Sequence, residues 1–356
     1  MTDARRIGRK TRIAIPIALA LILILGIGIV WLGHDDAPGA FDAAMAKAKR
    51  GDLDGEFSVA LMYEHGDGVQ QNPVEAAKWY RRAADQGDAA SQNNLGTLYE
   101  TGVGVAQSRA EAVSWYRRAA AQGNGDALCN LGRAYEHGEG APQDSAEAVR
   151  LYRRAAEQGL PRGQLYLALM YDTGTGVLQD ASEAAKWYRR AADQGDPQAQ
   201  NALGYLYDDG RGVKQSDAEA LKWYRLAAEQ GDANAQNNLG LMYENGQGVR
   251  KDDAEAVKWY RLAAAEGVST SLFRLGVQYY VGSGVAHDPI AANALLDLAA
   301  AAGETRAQQY LDQGAKLTAP ADIDKAARLR AEMRRPGKLL DVLDRYEETA
   351  QHSGGG

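Results

Sequence analysis

The chain of 356 residues contains one cysteine, Cys129. An intramolecular disulfide is therefore excluded, and stability has to come from packing. Proline is sparse, at nine, and the forty glycines form no tract before the last three residues. That distribution leaves no Gly-rich linker and points to glycine placed at fixed turns. Catalytic and metal-binding constellations are lacking as well. No Ser-His-Asp set, paired carboxylates or H-E-x-x-H pattern stands out. His65 and His137 occupy the same column two repeat lengths apart, too far to converge within about 2 Å of one ion. The G-x-G-V turns, such as Gly246 to Val249, lack the following Lys and the preceding strand of a phosphate loop. No enzyme activity, cofactor or metal is expected.

An excess of positive charge is missing except at the start. The formal charge is -7; residues 1–12 carry five positive charges and one negative, which leaves -11 on the remainder. Such an acidic body is a poor non-specific partner for nucleic acid or an anionic membrane surface. One long apolar run exists, residues 13–33, uncharged and long enough to cross a bilayer as a helix of about 20 residues. Arg5, Arg6, Arg9, Lys10 and Arg12 precede it, and His34, Asp35 and Asp36 follow. The positive-inside rule then places the N-terminus in the cytoplasm and everything after Gly33 outside it. A cleaved signal peptide is the rival, but its apolar core typically spans about 7 to 15 residues and ends in a small-residue site. We read the run as an uncleaved anchor.

The rest of the chain is periodic. DDAEAVKWYRLAAAEG (residues 252–267) has counterparts 36 residues apart, and Tyr63, Tyr99, Tyr135, Tyr171, Tyr207, Tyr243 and Tyr279 keep the same step. Strict repetition at this spacing marks a solenoid, in which each unit buries its apolar face against its neighbours. Seven repeats fill residues 52–303. Each begins with a first helix carrying L-G-x-x-Y, in which Leu239 and Tyr243 share a face and Gly240 admits a close partner. A second helix follows. Its start is marked by Asn72, Ser108, Asp144, Asp180, Ser216, Asp252 and Asp288, six of them with Glu three residues later in a capping-box spacing. Gly87 and its counterparts end it.

On that second helix Ala256, Trp259, Tyr260 and Ala263 lie on one face, so Trp259 and Tyr260 read as packing rather than a ligand grip. Trp259→Ala is expected to cost about 3 to 5 kcal/mol. The column of Lys78, Arg81, Lys186, Arg189, Lys222 and Arg225 reads as a solvated face paired with the acids Glu64, Glu100, Glu136, Asp172, Asp208 and Glu244. Cys129, in a column shared with Asn93, Leu165, Asn201, Asn237 and Phe273, reads as a part-buried thiol rather than a nucleophile. Residues 34–51 form a linker and a capping half-repeat. Residues 304–350 supply C-terminal caps, with helices expected over 320–335 and 338–348, and residues 351–356 form a disordered tail.

LGxxYxxGxGV followed by D-x-x-E-A-x-x-W-Y-R-x-A-A-x-x-G resembles the Sel-1-like repeat, a relative of the tetratricopeptide repeat. The resemblance covers residues 52–303. It implies an all-α, right-handed α-solenoid of antiparallel helix pairs, here preceded by one transmembrane helix. It also implies a concave surface of first helices that binds other proteins, and adaptor or regulatory roles in bacterial envelopes and in eukaryotic membrane quality control. One branch, associated with penicillin binding or hydrolysis, carries a cysteine pair in each repeat that this chain lacks.

The resulting expectation is a membrane-anchored envelope scaffold, single-pass in the inner membrane with a periplasmic repeat domain, that binds a protein or peptide. The alternative is an accessory protein or enzyme for cell-wall or exported polysaccharide. Recognition should fall on first-helix columns that vary between repeats at spacing i, i+3, i+7: Asn94, Thr97 and Thr101; Asn130, Arg133 and His137; Tyr166, Leu169 and Thr173. The later sets are Ala202, Tyr205 and Asp209; Asn238, Leu241 and Asn245; Arg274, Val277 and Val281.

Overall fold

The computed structural model describes residues 39–314 and 319–353. The expected transmembrane segment, residues 13–33, lies outside the described residues, as do the last three residues of the tail. Among the described residues no helix is long and apolar enough to cross a membrane, and all regular structure is helical. The chain divides into two compact units between Ala191 and Ala192.

The first unit opens with α1 (Ala40–Ala48), the capping half-repeat. Helix pairs follow: α2 (Leu53–His65) with α3 (Pro73–Asp85), α4 (Ala89–Thr101) with α5 (Arg109–Ala121), and α6 (Gly125–His137) with α7 (Ser145–Glu157). Then come α8 (Pro161–Thr173) and α9 (Ala181–Asp193), within which the unit ends. The second unit contains α10 (Pro197–Asp209) and α11 (Asp217–Glu229), α12 (Ala233–Asn245) and α13 (Asp253–Ala265), and α14 (Ser269–Val281) and α15 (Pro289–Ala301). It closes with α16 (Thr305–Gly314), α17 (Pro320–Met333) and α18 (Leu339–Ser353). Helix α18 runs past the expected end at residue 348 because no glycine or proline stands before Gly354.

Each repeat folds as a hairpin for local reasons. The first helix is capped by a side-chain oxygen in most repeats; Asp88, for example, accepts the N–H of Ser91. It ends at a glycine with positive φ, such as Gly138 at 71°. After the turn, Gln107 and Gln143 each donate Nε2 to the carbonyl of Glu100 or Glu136, at 2.8 Å. The second helix is capped as its sequence foretells, with the Asn72, Ser108, Asp144 and Asp252 side chains accepting from Glu75, Glu111, Glu147 and Glu255.

The reciprocal half of the capping box does not form. The cap residue's own N–H is already taken by the repeat's tyrosine carbonyl, as in Ser108 N to Tyr99 O at 2.8 Å. Glu75 and Glu255 instead reach forward to Lys78 and Lys258, at 2.6 and 2.7 Å.

Two aromatic columns hold the pairs together. The second-helix tyrosines Tyr80, Tyr116, Tyr152, Tyr188, Tyr224 and Tyr260 are fully buried. Most lie over the first-helix glycine of their own repeat: a Cβ on Gly132 would sit 2.5 Å from the Tyr152 ring. Repeats one and four carry Ala60 and Ala168 in that column, both fully buried, so the ring can yield by the small distance a methyl needs. Gly132→Ala is therefore expected to cost no more than about 1 to 2 kcal/mol, with the clash partly offset by reduced unfolded-state entropy; chemical denaturation of the variant checks this. The tryptophans work between repeats. Trp115 packs into the cluster built on Tyr80 and Leu95, Trp187 into that on Tyr152 and Leu167, and Trp259 into that on Tyr224 and Leu239.

At the C-terminal end α17 packs on α15, as a cap should. Helix α18 then doubles back, burying Leu339, Val342 and Leu343 and reaching α13 of the sixth repeat.

Candidate functional site

The candidate columns lie on the first helices, and their members differ in what they do. Along the leading column, amides join successive first helices. Asn130 Nδ2 donates to Asn93 Oδ1 at 2.9 Å, and Asn238 Nδ2 to Asn201 Oδ1 at 3.2 Å. Asn93 in turn donates to Asn94. Ala202 and Asn238 are buried, at 3% and 7% exposure, as is Leu241 at 4%. These three serve the packing between repeats and are not accessible to a partner. Arg274, in the same column, pairs with Glu244 at 3.0 Å and lies over the Tyr260 ring.

The middle column is mixed. Thr97 accepts the Tyr116 hydroxyl at 3.2 Å and donates to the Asn93 carbonyl. Arg133 pairs with Glu100, which also accepts the Tyr116 hydroxyl. Leu169 and Val277 are half-buried, and Tyr205 has Arg211 over its ring. The trailing column is the accessible one. His137, Thr173, Asp209, Asn245 and Val281 are exposed, and Thr101 is half-buried with its hydroxyl on the Thr97 carbonyl.

The acidic column therefore has different partners from those its sequence suggests. Glu64, Glu100, Glu136 and Glu244 accept the buried hydroxyls of Tyr80, Tyr116, Tyr152 and Tyr260. Lys78 and Lys186 of the basic column pair with the helix-start glutamates Glu75 and Glu183, one turn earlier. The arginines Arg81 and Arg225 donate instead to the hydroxyls of Tyr99 and Tyr243. A buried phenol leaves its oxygen in need of a partner, and a carboxylate at hydrogen-bond distance supplies it at lower free energy than a long pair across solvent. Burial and the adjacent carboxylate both push the Tyr116 and Tyr152 phenols upward, so they remain neutral donors.

One cluster within the first unit combines the residue types that dominate interaction energies. Arg133, Tyr166 and Arg162 are half-exposed neighbours on α6 and α8, with Leu169 one turn further and His137 at the exposed edge. The Tyr166 ring lies 5.0 Å from that of Tyr152, which fixes its plane. Burial raises the Tyr166 phenol, and the charges of Arg162 and Arg133 partly counter that. Arg162 bridges two repeats through Asp126 at 3.0 Å. Asp126 and Arg162 were not among the residues expected from the sequence. They stand four positions before Asn130 and Tyr166, hence on the same helix face, and that spacing was the available signal. Cys129 lies beneath, fully buried, with its thiol pushed up by burial; it is not a poised nucleophile. Among the described residues no group of three or more His, Cys, Asp and Glu could hold a metal ion.

This architecture has known counterparts. A family model for the Sel1 repeat matches seven consecutive stretches: residues 53–88, 89–124, 125–160, 161–196, 197–232, 233–268 and 269–304. The structure is similar to that of a Sel1 repeat protein from Oxalobacter formigenes, at 36% identity and a TM-score of 0.63, covering 77% of this chain and 79% of that one. It also matches c5321, a protective antigen of uropathogenic Escherichia coli strains with an SLR fold, at 25% identity and a TM-score of 0.48, over 86% of this chain and 89% of that one. No curated protein matches the chain.

Proposed function

The chain belongs to the Sel1 repeat family, and from that premise we propose that it is a membrane-anchored scaffold of the bacterial envelope. Its helical repeats suit protein–protein interaction. In our reading residues 13–33 hold the chain in the inner membrane and the acidic repeats work on the periplasmic side. The basic residues 5–12, against the acidic remainder, support that orientation. A reporter fused after Gly356 is expected to be active only in its periplasmic form, and activity only in the cytoplasmic form would overturn the topology.

The observation that carries the binding site is the cluster of Arg133, Tyr166 and Arg162. Tyrosine and arginine are over-represented among residues that dominate interface energies, because each offers a large rigid surface with directed hydrogen bonds. Here both types are half-exposed and held in place, by the Tyr152 ring and by ion pairs to Glu100 and Asp126. The exposed edge of His137 and Thr173 would form the polar rim. Crosslinking and pull-down from membranes are expected to recover a protein partner whose yield falls about tenfold or more with Tyr166→Ala. Val281→Ala, at an exposed site in the other unit, should leave the yield unchanged. Equal recovery with Tyr166→Ala and Val281→Ala would move the site elsewhere. Saturable turnover of a polysaccharide that depends on Tyr166 would replace the scaffold reading with an enzyme.

A further inference from the structure

A second recurrent contact involves other residues. Within each unit, at the steps between repeats, an arginine of the second helix donates to the hydroxyl of a tyrosine on the next first helix. Arg117 Nη2 meets Tyr135 at 2.9 Å, Arg153 Nη2 meets Tyr171 at 2.7 Å, and Arg225 Nη2 meets Tyr243 at 2.9 Å. Arg261 meets Tyr279 in the same way, at 3.0 Å, but there a third group joins. Glu347 of α18 accepts from Arg261 Nη1 at 2.8 Å and from the Tyr279 hydroxyl, and Asp344 takes the other guanidinium nitrogen. The protein thus contains one Arg–Tyr pair already filled by an acidic amphipathic helix. That helix inserts Leu339, Val342 and Leu343 beside its two carboxylates.

The filled pair has a distinguishing neighbour. The tryptophan of the following repeat is replaced by Leu295. Where the tryptophan is present after Arg81, its indole lies against the arginine, with Arg81 5.4 Å from the Trp115 ring. One other repeat makes the same replacement, with Leu151, and the arginine preceding it is Arg117. Arg117 is exposed and its partners are the hydroxyl and ring of Tyr135.

Helices α5 and α7 each carry a net positive charge although the repeats as a whole are acidic. Arg117 and Arg118 on α5 and Arg150, Arg153 and Arg154 on α7 outnumber Glu111, Glu147 and Glu157 on the same helices. Among these five only Arg150 pairs with a carboxylate, that of Glu147. We propose that the Arg117–Tyr135 pair is a docking site for an acidic amphipathic helix of a partner protein. The helix would carry two carboxylates three residues apart behind an apolar stripe and would bind as α18 binds at Arg261–Tyr279. The guanidinium and the phenol converge on one carboxylate, which a lone surface arginine cannot do, and the remaining arginines attract the helix through charge complementarity.

The probe is a labelled peptide of residues 338–350, titrated into the full chain. Saturable binding is expected that weakens about tenfold or more with Arg117→Gln and about as much when the peptide carries Glu347→Gln. Tyr135→Phe should weaken it several-fold, Arg81→Gln should not, and raising the salt should weaken it for the wild type. Thermal unfolding of the Arg117→Gln protein at the wild-type temperature separates loss of the site from loss of the fold. Three results would each overturn the assignment. They are no binding to the wild type, equal binding to a folded Arg117→Gln protein, and binding that depends on Arg261 rather than Arg117, which means the peptide merely exchanges with α18. Self-association of the protein alone that disappears with Arg117→Gln would identify a second copy as the occupant and overturn the partner-helix proposal.

Discussion

Replacing Gly140 by alanine is expected to destabilise the first unit by about 3 to 5 kcal/mol, the sum of two separate penalties. Gly140 has φ of 76°, a left-handed conformation that a residue with a Cβ adopts at a cost. Its added Cβ would also lie 2.2 Å from the carbonyl oxygen of Arg109, the first residue of α5 in the preceding repeat. That neighbour is helix backbone, so it cannot swing aside as a side chain does. The same contact recurs between Gly104 and Pro73 and between Gly176 and Ser145, at 2.2 Å each. At these turns, and likewise at Gly248 and Gly284, the second glycine is thus the place where one repeat's turn rests on the start of the preceding repeat's second helix.

Gly123 provides the control. Its φ is 85°, but a Cβ there would meet nothing nearer than the Gln158 side chain at 3.8 Å. Gly123→Ala should therefore cost only the conformational part, about 1 to 2 kcal/mol. Urea denaturation followed by hydrogen exchange would read both, since loss of one interface in a repeat protein can uncouple neighbours before the whole unit unfolds. Equal costs for Gly123→Ala and Gly140→Ala would refute the close-approach argument.

The repeat length, the two helices per repeat and the caps were readable because they are local. Side-chain oxygens at helix starts, glycines at helix ends and an i, i+3, i+4 apolar face depend only on nearby residues. What escaped was the choice of partner across repeats. Arg117 and Tyr135 recur 18 residues apart in lockstep, half a period, yet spacing does not say whether an arginine meets an acid or a phenol when both columns run in step. The same ambiguity hid the use of Asn238 and Leu241 as packing. A residue that varies between repeats is equally compatible with an open surface and with a contact that is tuned pair by pair, as Asn238 is to Asn201. The return of α18 was invisible for a related reason. Its apolar face is clear in Leu339, Val342 and Leu343, but nothing in a 15-residue helix specifies which earlier helix it will cover.

Tyr260→Ala should be the costlier change in the pair Trp259-Tyr260, at about 3 to 5 kcal/mol. The sequence alone assigns that loss to Trp259. The structure separates the two rings. Tyr260 is fully buried, with its ring against Gly240 and its hydroxyl on Glu244 at 2.6 Å, so its removal opens the interior of the sixth repeat. Trp259 is half-buried and lies against the cluster that joins the fifth repeat's second helix to the sixth repeat's first, so a smaller loss is expected, about 2 to 3 kcal/mol, concentrated in the coupling between repeats five and six.

Tyr260→Phe isolates the hydroxyl. Glu244 keeps Arg274 at 3.0 Å and Gln278 at 3.1 Å, so the carboxylate is not orphaned, and a cost of about 1 to 2 kcal/mol is expected. Denaturation of the three variants should rank Tyr260→Ala above Trp259→Ala, and Trp259→Ala above Tyr260→Phe. Hydrogen exchange should show protection lost throughout α12 and α13 for Tyr260→Ala, but chiefly at the junction with α11 for Trp259→Ala. A Trp259→Ala variant less stable than Tyr260→Ala would mean that the cohesion of this chain lies mainly between repeats. The buried Tyr–Glu bonds would then be a consequence of the hairpin fold rather than its support.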